Sequence, residues 1–274
     1  MTRDRRRAVV TGVLLILATG SSLSSAPFLA PLGASDYLTQ VAAHSTRVEV
    51  GALLASIAAL TAPAIAVALY PVVRRVGEAR ALGAVAFRVI EGMSYLASAM
   101  LVLSLVTLSR DYVSAGRPDT PDYRPVAGTV LSAYRVLGNV ALLLAFAVGG
   151  LLYYLAFYEG RLVPRWLSGW GIVGVVLLFG AGVLVTLRVI APESATQFAL
   201  AAPIGVQEMV LAGWLIARGF AVAPSESNLS PAVGAGSAAR TGGPEGREVD
   251  PRRPRLGHPD GAREPVPGVR HEPH

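Results

Sequence analysis

The chain has 274 residues, of which 53% are hydrophobic and only 15% are charged. Soluble domains carry roughly 25% charged residues, so this composition excludes an ordinary soluble protein. The sequence contains no cysteine, which excludes disulfides, thiol catalysis and cysteine-ligated metal sites.

The formal net charge of +6 raises the question of a nucleic-acid partner. The arginines flank hydrophobic segments instead of forming one basic face, so we expect no nucleic acid to bind. The sequence has no lysine, and alanine, valine, glycine and proline are abundant. This usage is typical of a GC-rich bacterial genome, and we expect a protein of the bacterial inner (cytoplasmic) membrane.

Long apolar stretches separated by charged connectors dominate the sequence. A bilayer core of about 30 Å needs roughly 20 apolar residues as a helix, and only helices or closed barrels satisfy the backbone inside it. The apolar runs are too long for barrel strands of about ten residues. The sequence therefore predicts an all-α, polytopic membrane bundle with six transmembrane helices, at 8–29, 50–70, 82–108, 127–158, 166–190 and 198–220.

The first predicted helix has two interpretations. It follows a short basic segment, residues 1–7, as expected for the cytoplasmic N-terminus of a membrane protein. Its second half, Thr19–Ser25, is rich in small polar residues, and Ser24-Ser25-Ala26 is similar to a signal-peptide cleavage site. The residues alone leave both a retained helix and a cleaved signal peptide open.

The composition changes abruptly near the end of the last predicted helix. Proline, glycine, arginine and glutamate dominate residues 221–274, and apolar residues are sparse and without period. Such a segment buries too little surface to offset its ordering entropy, so we predict a disordered cytoplasmic tail after a transmembrane domain at 8–220. The tail leaves open a role in binding a protein partner.

Arginines in short loops indicate the orientation, because they concentrate on the cytoplasmic side of a membrane. One set of connectors and ends is clearly richer in arginine than the other. The predicted cytoplasmic set comprises Arg3, Arg5, Arg6, Arg7, Arg74, Arg75, Arg80, Arg161, Arg165 and Arg218. Both termini are therefore predicted to be cytoplasmic, which requires an even number of spans.

Ionisable groups at membrane depth are costly and suggest a functional site. The predicted intramembrane polar cluster comprises Arg88, Glu91, Arg135, Asn139, Gln207 and Glu208. Arg88 and Glu91 share a helix face at i, i+3 and can pair. The formal charges of two arginines and two glutamates sum to zero, so every charge of the cluster can have a partner. The cluster is either a structural lock, in which ion pairs hold the helices together, or a polar cavity for an ion or small polar solute.

The residues argue against most catalytic sites. Histidine occurs only in a predicted loop and in the tail, at His44, His258, His271 and His274. We therefore expect no cofactor, no metal ion and no catalytic residue, since membrane-embedded serines lack a histidine partner in any predicted helix.

One long segment carries a family resemblance. Residues 149–177, GGLLYYLAFYEGRLVPRWLSGWGIVGVVL, resemble the junction of the fourth and fifth helices in the domain of unknown function 4386 family. The stretches Phe87–Glu91 and Pro203–Gly219 are similar to the same family of bacterial integral membrane proteins. The resemblance covers about Arg5–Phe220 and implies a six-helix bundle with the first helix retained. It implies no activity, and the tail has no expected counterpart.

The junction also has a physical interpretation. Arginines flank Pro164 and precede two tryptophans, an arrangement typical of a turn held at the lipid headgroups. The predicted interfacial anchor comprises Arg161, Arg165, Trp166 and Trp170.

Three functional classes follow from these observations. We expect a non-enzymatic integral membrane protein with a structural, stress-related or regulatory role, in contact with the lipid bilayer. The first alternative is a transporter of a small solute or ion that uses the intramembrane arginine and glutamate cluster. The second alternative is an intramembrane enzyme that modifies lipid, for which the sequence offers no nucleophile and base.

Overall fold

The computed structural model describes residues 2–117 and 123–221, and within these ranges the chain is helical, with no β-strand. A 3₁₀ segment, Ala26–Gly33, follows the first helix, and a π-helical segment, Leu137–Ala141, joins α5 to α6. The α-helices are α1 (Arg3–Ser25), α2 (Tyr37–Ala43), α3 (Ser45–Val73), α4 (Glu78–Ser114), α5 (Tyr123–Val136), α6 (Leu142–Glu159), α7 (Arg165–Thr186) and α8 (Ala195–Ala217).

Six apolar helices in the described residues are long enough to cross a membrane: α1, α3, α4, the α5–α6 rod, α7 and α8. The predicted all-α, multi-pass membrane bundle is therefore confirmed, and the protein contacts the lipid bilayer. Each of the six begins before its predicted first residue, and α1 already begins at Arg3. Helices α1, α7 and α8 end before their predicted last residues, at Ser25, Thr186 and Ala217, and α7 ends there because Arg188 adopts a left-handed φ of 59° in the following turn. The predicted tail after Ala221 lies outside the described residues.

The six long helices form a closed ring. Neighbours in the ring pack in the order α1, α3, α4, α6, α7 and α8, and α8 packs back against α1. Close approach depends on small residues: a Cβ added to Gly171 of α7 would overlap the ring of Tyr154 on α6. Charged side chains of α4 and α8 meet inside this ring of helices.

One end of the ring, here called the arginine-rich end, is held together by polar contacts. Asp4 of α1 forms an ion pair with Arg75 at 2.7 Å, and Arg80 of α4 pairs with Glu159 of α6 at 2.6 Å. The guanidinium of Arg5 donates to the carbonyls that end α8, including that of Leu215 at 2.9 Å. These contacts bring the predicted cytoplasmic arginines to the same end of the bundle.

At the opposite end, α4 and the α5–α6 rod continue past the depth of a bilayer. Helix α4 has 37 residues and is therefore about 55 Å long, whereas the hydrocarbon core is about 30 Å thick. Its outer part packs with α2, α5 and the start of α3 around a second apolar core. Buried members of this core are Leu32, Leu38, Val41, Val48, Val102, Leu105, Val106, Tyr112, Ala127 and Leu131.

Candidate functional site

An ion-paired cluster lies inside the ring, and we call it the charged triad: Arg88, Glu91 and Glu208. Nη1 of Arg88 lies 3.1 Å from Oε2 of Glu91, one turn later on α4. Nη2 of Arg88 lies 3.7 Å from Oε1 of Glu208 on α8, an ion pair too long for a direct hydrogen bond. All three residues are at most 6% exposed. The structure thus brings together three of the six residues predicted to form a polar cluster.

Measured from the arginine-rich end, the triad lies at about half the thickness of a bilayer core. Arg88 is about 15 Å along α4 from its first residue, Glu78, at the arginine-rich end. Glu208 is at a similar distance from Ala217, the last residue of α8. Half of a hydrocarbon core is about 15 Å, so water and salt screen these charges poorly.

Arg135 does not belong to the triad, which corrects the predicted balance of two arginines and two glutamates. The α5–α6 rod carries Arg135 about 36 Å from Glu159, farther than the roughly 30 Å thickness of the core. Its side chain is exposed. The buried site therefore holds two carboxylates and one guanidinium, and it becomes electrically neutral only with a proton or a bound cation.

Hydroxyl groups of α1 and α4 complete the polar wall around the triad. Thr19 of α1 donates a hydrogen bond of 2.9 Å to Oε2 of Glu208. One turn later on the same face, the hydroxyl of Ser22 lies 2.8 Å from the phenol oxygen of Tyr95 on α4. These two hydrogen bonds connect α1 to α8 and to α4.

Two aromatic rings also contact the Arg88 guanidinium. Its guanidinium carbon lies 4.6 Å from the ring centroid of Phe146 and 5.8 Å from that of Tyr153, both within range of a cation–π interaction. The Nε atom of Arg88 and the hydroxyl of Tyr153 are buried without a hydrogen-bond partner. Toward the arginine-rich end, large apolar side chains such as Ile65, Phe157 and Leu215 fill the space.

A central cavity of about 140 Å³ adjoins the triad on the opposite side. Arg88, Glu91 and Glu208 line it, together with Thr19, Ser22, Tyr95 and apolar residues of α6, α7 and α8. A cavity of roughly 150 Å³ inside a protein can hold benzene, so this space accommodates a solute of about that size. The charged triad is therefore not enclosed by side chains on all sides.

A second cavity of about 240 Å³ extends from the first toward the end opposite the arginines. Ser22 and Tyr95 line both cavities, so their hydrogen bond lies at the boundary. Ser98 is 6% exposed, and its buried hydroxyl has no hydrogen-bond partner. Glu193, exposed and held at a left-handed φ of 59°, is the only charged residue in the wall of this cavity among those described.

The remaining two residues of the predicted cluster lie outside the triad. Asn139, in the π-helical segment, lines the second cavity and accepts a hydrogen bond of 3.0 Å from Gln197 of α8. Gln207 points away from the cavities, where it accepts from the hydroxyl of Tyr154 and donates to the carbonyl of Leu167. Gln207 therefore links α6, α7 and α8, while Asn139 belongs to the cavity wall.

The predicted interfacial anchor lies at the arginine-rich end. Arg161 and Arg165, with Arg218 after α8, line an open hollow of about 520 Å³ that we call the arginine hollow. Trp214 and Phe220 form part of its wall. The two predicted tryptophans lie outside it: Trp166 is exposed on α7, and Trp170 packs against the apolar core. No group of three metal-ligating side chains occurs in residues 2–117 or 123–221.

Several site residues escaped sequence analysis, above all Thr19, Ser22 and Tyr95. The polar run in the first helix suggested a cleavage site, whereas two of its hydroxyls lie one turn apart and face the centre of the ring. That spacing of i, i+3 was the available signal. Nothing in the sequence indicated that their partners would come from α8 and α4.

The fold and the site define a multi-pass helical membrane protein with a charged centre enclosed by six helices. The family model described as a domain of unknown function, DUF4386, matches residues 10–219, and the chain belongs to this family. No curated protein and no solved structure matches the chain.

Proposed function

We propose that this protein is a non-enzymatic membrane protein that binds a small cation in its central cavity, as a transporter of that solute would. The single observation that carries the proposal is the sharing of one buried guanidinium by two carboxylates beside a cavity. An uncompensated charge in a low-dielectric interior is strongly unfavourable. A ligand with one positive charge supplies the compensation and has space to bind.

The surroundings of the triad favour an organic cation with a compact head. The cavity offers carboxylate oxygens and the hydroxyls of Thr19, Ser22 and Tyr95 beside apolar side chains. Carboxylates attract the positive charge, and the apolar wall favours a ligand that carries methyl or methylene groups. The volume limits the head to about the size of benzene.

Choline tests the proposal because its charge is permanent and a neutral compound of the same shape exists. Full-length protein in a neutral detergent is heated with choline chloride, with 3,3-dimethylbutan-1-ol, or with sodium chloride at equal ionic strength. Choline should raise the unfolding free energy by about 2.7 kcal/mol at one hundred times its Kd. Equal stabilisation by the alcohol, or none by choline, overturns the proposal.

A structural lock between helices is the second candidate, and the ion pair between α4 and α8 favours it. In this case the triad holds the ring together and binds nothing. The two candidates differ in the effect of Glu208→Gln. The lock predicts a loss of stability, whereas cation binding predicts unchanged or higher stability without ligand, because one guanidinium then faces one carboxylate. The lock also predicts that stability lost in a single-charge variant is restored when both charges of an ion pair are exchanged.

The cavities and the arginines together suggest how the protein lies in the membrane. With the arginine-rich end in the bacterial cytoplasm and both termini inside, the second cavity opens toward the other side. Fusions of green fluorescent protein after Arg75 and alkaline phosphatase after Arg117 test this orientation. Both reporters should be active, and an inactive phosphatase after Arg117 contradicts it.

A further inference from the structure

Within the described residues, the arginine hollow gathers three arginines without an ion-pair partner in one depression; Arg3, Arg6 and Arg74 at the same end also form no ion pair but lie outside it. Arg7 and Arg75 both pair with Asp4, and Arg80 pairs with Glu159. In contrast, none of the three arginines that line the hollow, Arg161, Arg165 and Arg218, forms an ion pair within the described residues. Three unmatched positive charges around one depression indicate a site for an anion.

Aromatic side chains orient two of these arginines. The guanidinium of Arg165 lies over the ring of Tyr158 at 5.3 Å, and that of Arg218 lies over Trp214 at 5.8 Å. A guanidinium stacked on a ring keeps its N–H groups in the plane available to an oxygen ligand. The stacking thus restricts the two side chains without using their donors.

The start of α7 adds backbone donors to the same place. Helix α7 begins at Arg165 after Pro164, and no side chain caps its first N–H groups. These N–H groups favour a negative group, whereas the ends of α6 and α8 place carbonyl groups of opposite polarity at the same level, so the attraction for an anion comes chiefly from the three arginines. Arg161 adopts a left-handed φ of 50°, where glycine is the usual residue. Arg161 therefore carries a charged side chain at a position where the backbone conformation disfavours any residue other than glycine.

We propose that the arginine hollow binds the phosphodiester headgroup of an anionic phospholipid. The hollow lies where α6 and α8 end and α7 begins, which is the level of the lipid headgroups. Its wall combines the arginines with Trp214, Phe220 and Leu162, so that it offers apolar surface beside the charges. A free phosphate would use only the charges, whereas a phospholipid uses both.

Short-chain lipids test the proposal on the full-length protein in a neutral detergent. Dihexanoyl-phosphatidylglycerol should bind at least about tenfold more tightly than dihexanoyl-phosphatidylcholine, because several arginines contribute. Arg161→Gly, Arg165→Gln and Arg218→Gln should each weaken that binding about fivefold. Arg74→Gln is the matched control, since Arg74 is exposed at the same end, outside the hollow.

Three results would overturn the proposal. The first is equal binding of the two lipids. The second is an effect of Arg74→Gln as large as that of Arg161→Gly, which indicates diffuse attraction without a site. The third is displacement of the lipid by inorganic phosphate at equal concentration, which identifies a free-phosphate site. Glycine suits the left-handed backbone at this position, so the melting temperature of Arg161→Gly should not fall. Weaker lipid binding in this variant is then not explained by misfolding.

Discussion

The charged triad and the arginine hollow leave opposite charges unmatched. In the triad, one guanidinium is buried and shared by two carboxylates. In the hollow, three exposed arginines have no carboxylate partner among the described residues. Ions and water screen the exposed charges, whereas the triad lies where screening is weak. The charged triad thus lacks a positive charge, and the arginine hollow lacks a negative charge. We therefore expect the triad to bind a cation and the hollow to bind an anion.

The largest effect should follow the removal of Arg88, the only buried arginine in residues 2–117 and 123–221. Arg88→Met leaves Glu91 and Glu208 facing each other without compensation and should reduce stability by about 3–5 kcal/mol. Thermal unfolding of the purified protein and its abundance in the membrane measure this loss. Arg110→Met is the control, because Arg110 forms an exposed pair with Glu49 and should change stability by less than about 1 kcal/mol. Equal losses of stability in the two variants would show that the buried triad stabilises the fold no more than an exposed ion pair does.

The next effect concerns the hydroxyl that α1 directs at the triad. Thr19→Val removes the hydrogen bond to Glu208 and keeps the shape of the side chain, so it should destabilise by about 1.5–3 kcal/mol. Thr107→Val is the matched control, because the hydroxyl of Thr107 is exposed and bonds only to its own helix. A loss no greater than that of the control would place Thr19 outside the site.

The second cavity should attract cations before they reach the triad. The chain has no native cysteine, so Ser98→Cys introduces a single thiol. A trimethylammonium methanethiosulfonate should modify it at least about tenfold faster than a sulfonate reagent, because carboxylates raise the local cation concentration. Ser109→Cys is the control, since that hydroxyl is also buried and unpartnered but lies outside both cavities. Equal rates with the two reagents would contradict a cation route.

The smallest effect tests whether the arginine hollow contains a strained backbone. Arg161→Gly should raise stability by about 1 kcal/mol, because a left-handed conformation disfavours every side chain with a Cβ. Arg188→Gly should give a similar gain at another turn of the same conformation, with no effect on lipid binding. A loss of stability in Arg161→Gly alone would mean that the Arg161 side chain supports the fold.

Much of the fold could be predicted because hydrophobic length determines a membrane helix. The six long helices and the i, i+3 relation of Arg88 and Glu91 follow directly from the sequence. The place of Arg135 did not follow, because hydropathy gives no depth within a rod longer than the bilayer. A residue in an apolar stretch can therefore lie beyond the hydrocarbon core.

The contacts of α1 were beyond sequence reasoning for another reason. Thr19 and Glu208 are 189 residues apart, and only the closure of the ring brings them together. Small hydroxyls in a membrane helix are common packing devices, so their presence predicts no particular partner. The polar run Thr19–Ser25 gained a specific meaning only when the structure placed it beside two carboxylates.

The central claim is that the unmatched carboxylate of the triad binds a cation, and binding to Glu208→Gln tests it most directly. Equilibrium dialysis of labelled choline against full-length protein should give a single saturable site in the wild type. The site should be absent in Glu208→Gln and unchanged in Glu49→Gln, which alters only an exposed pair. Choline binding to Glu208→Gln with the affinity of the wild type would contradict the account.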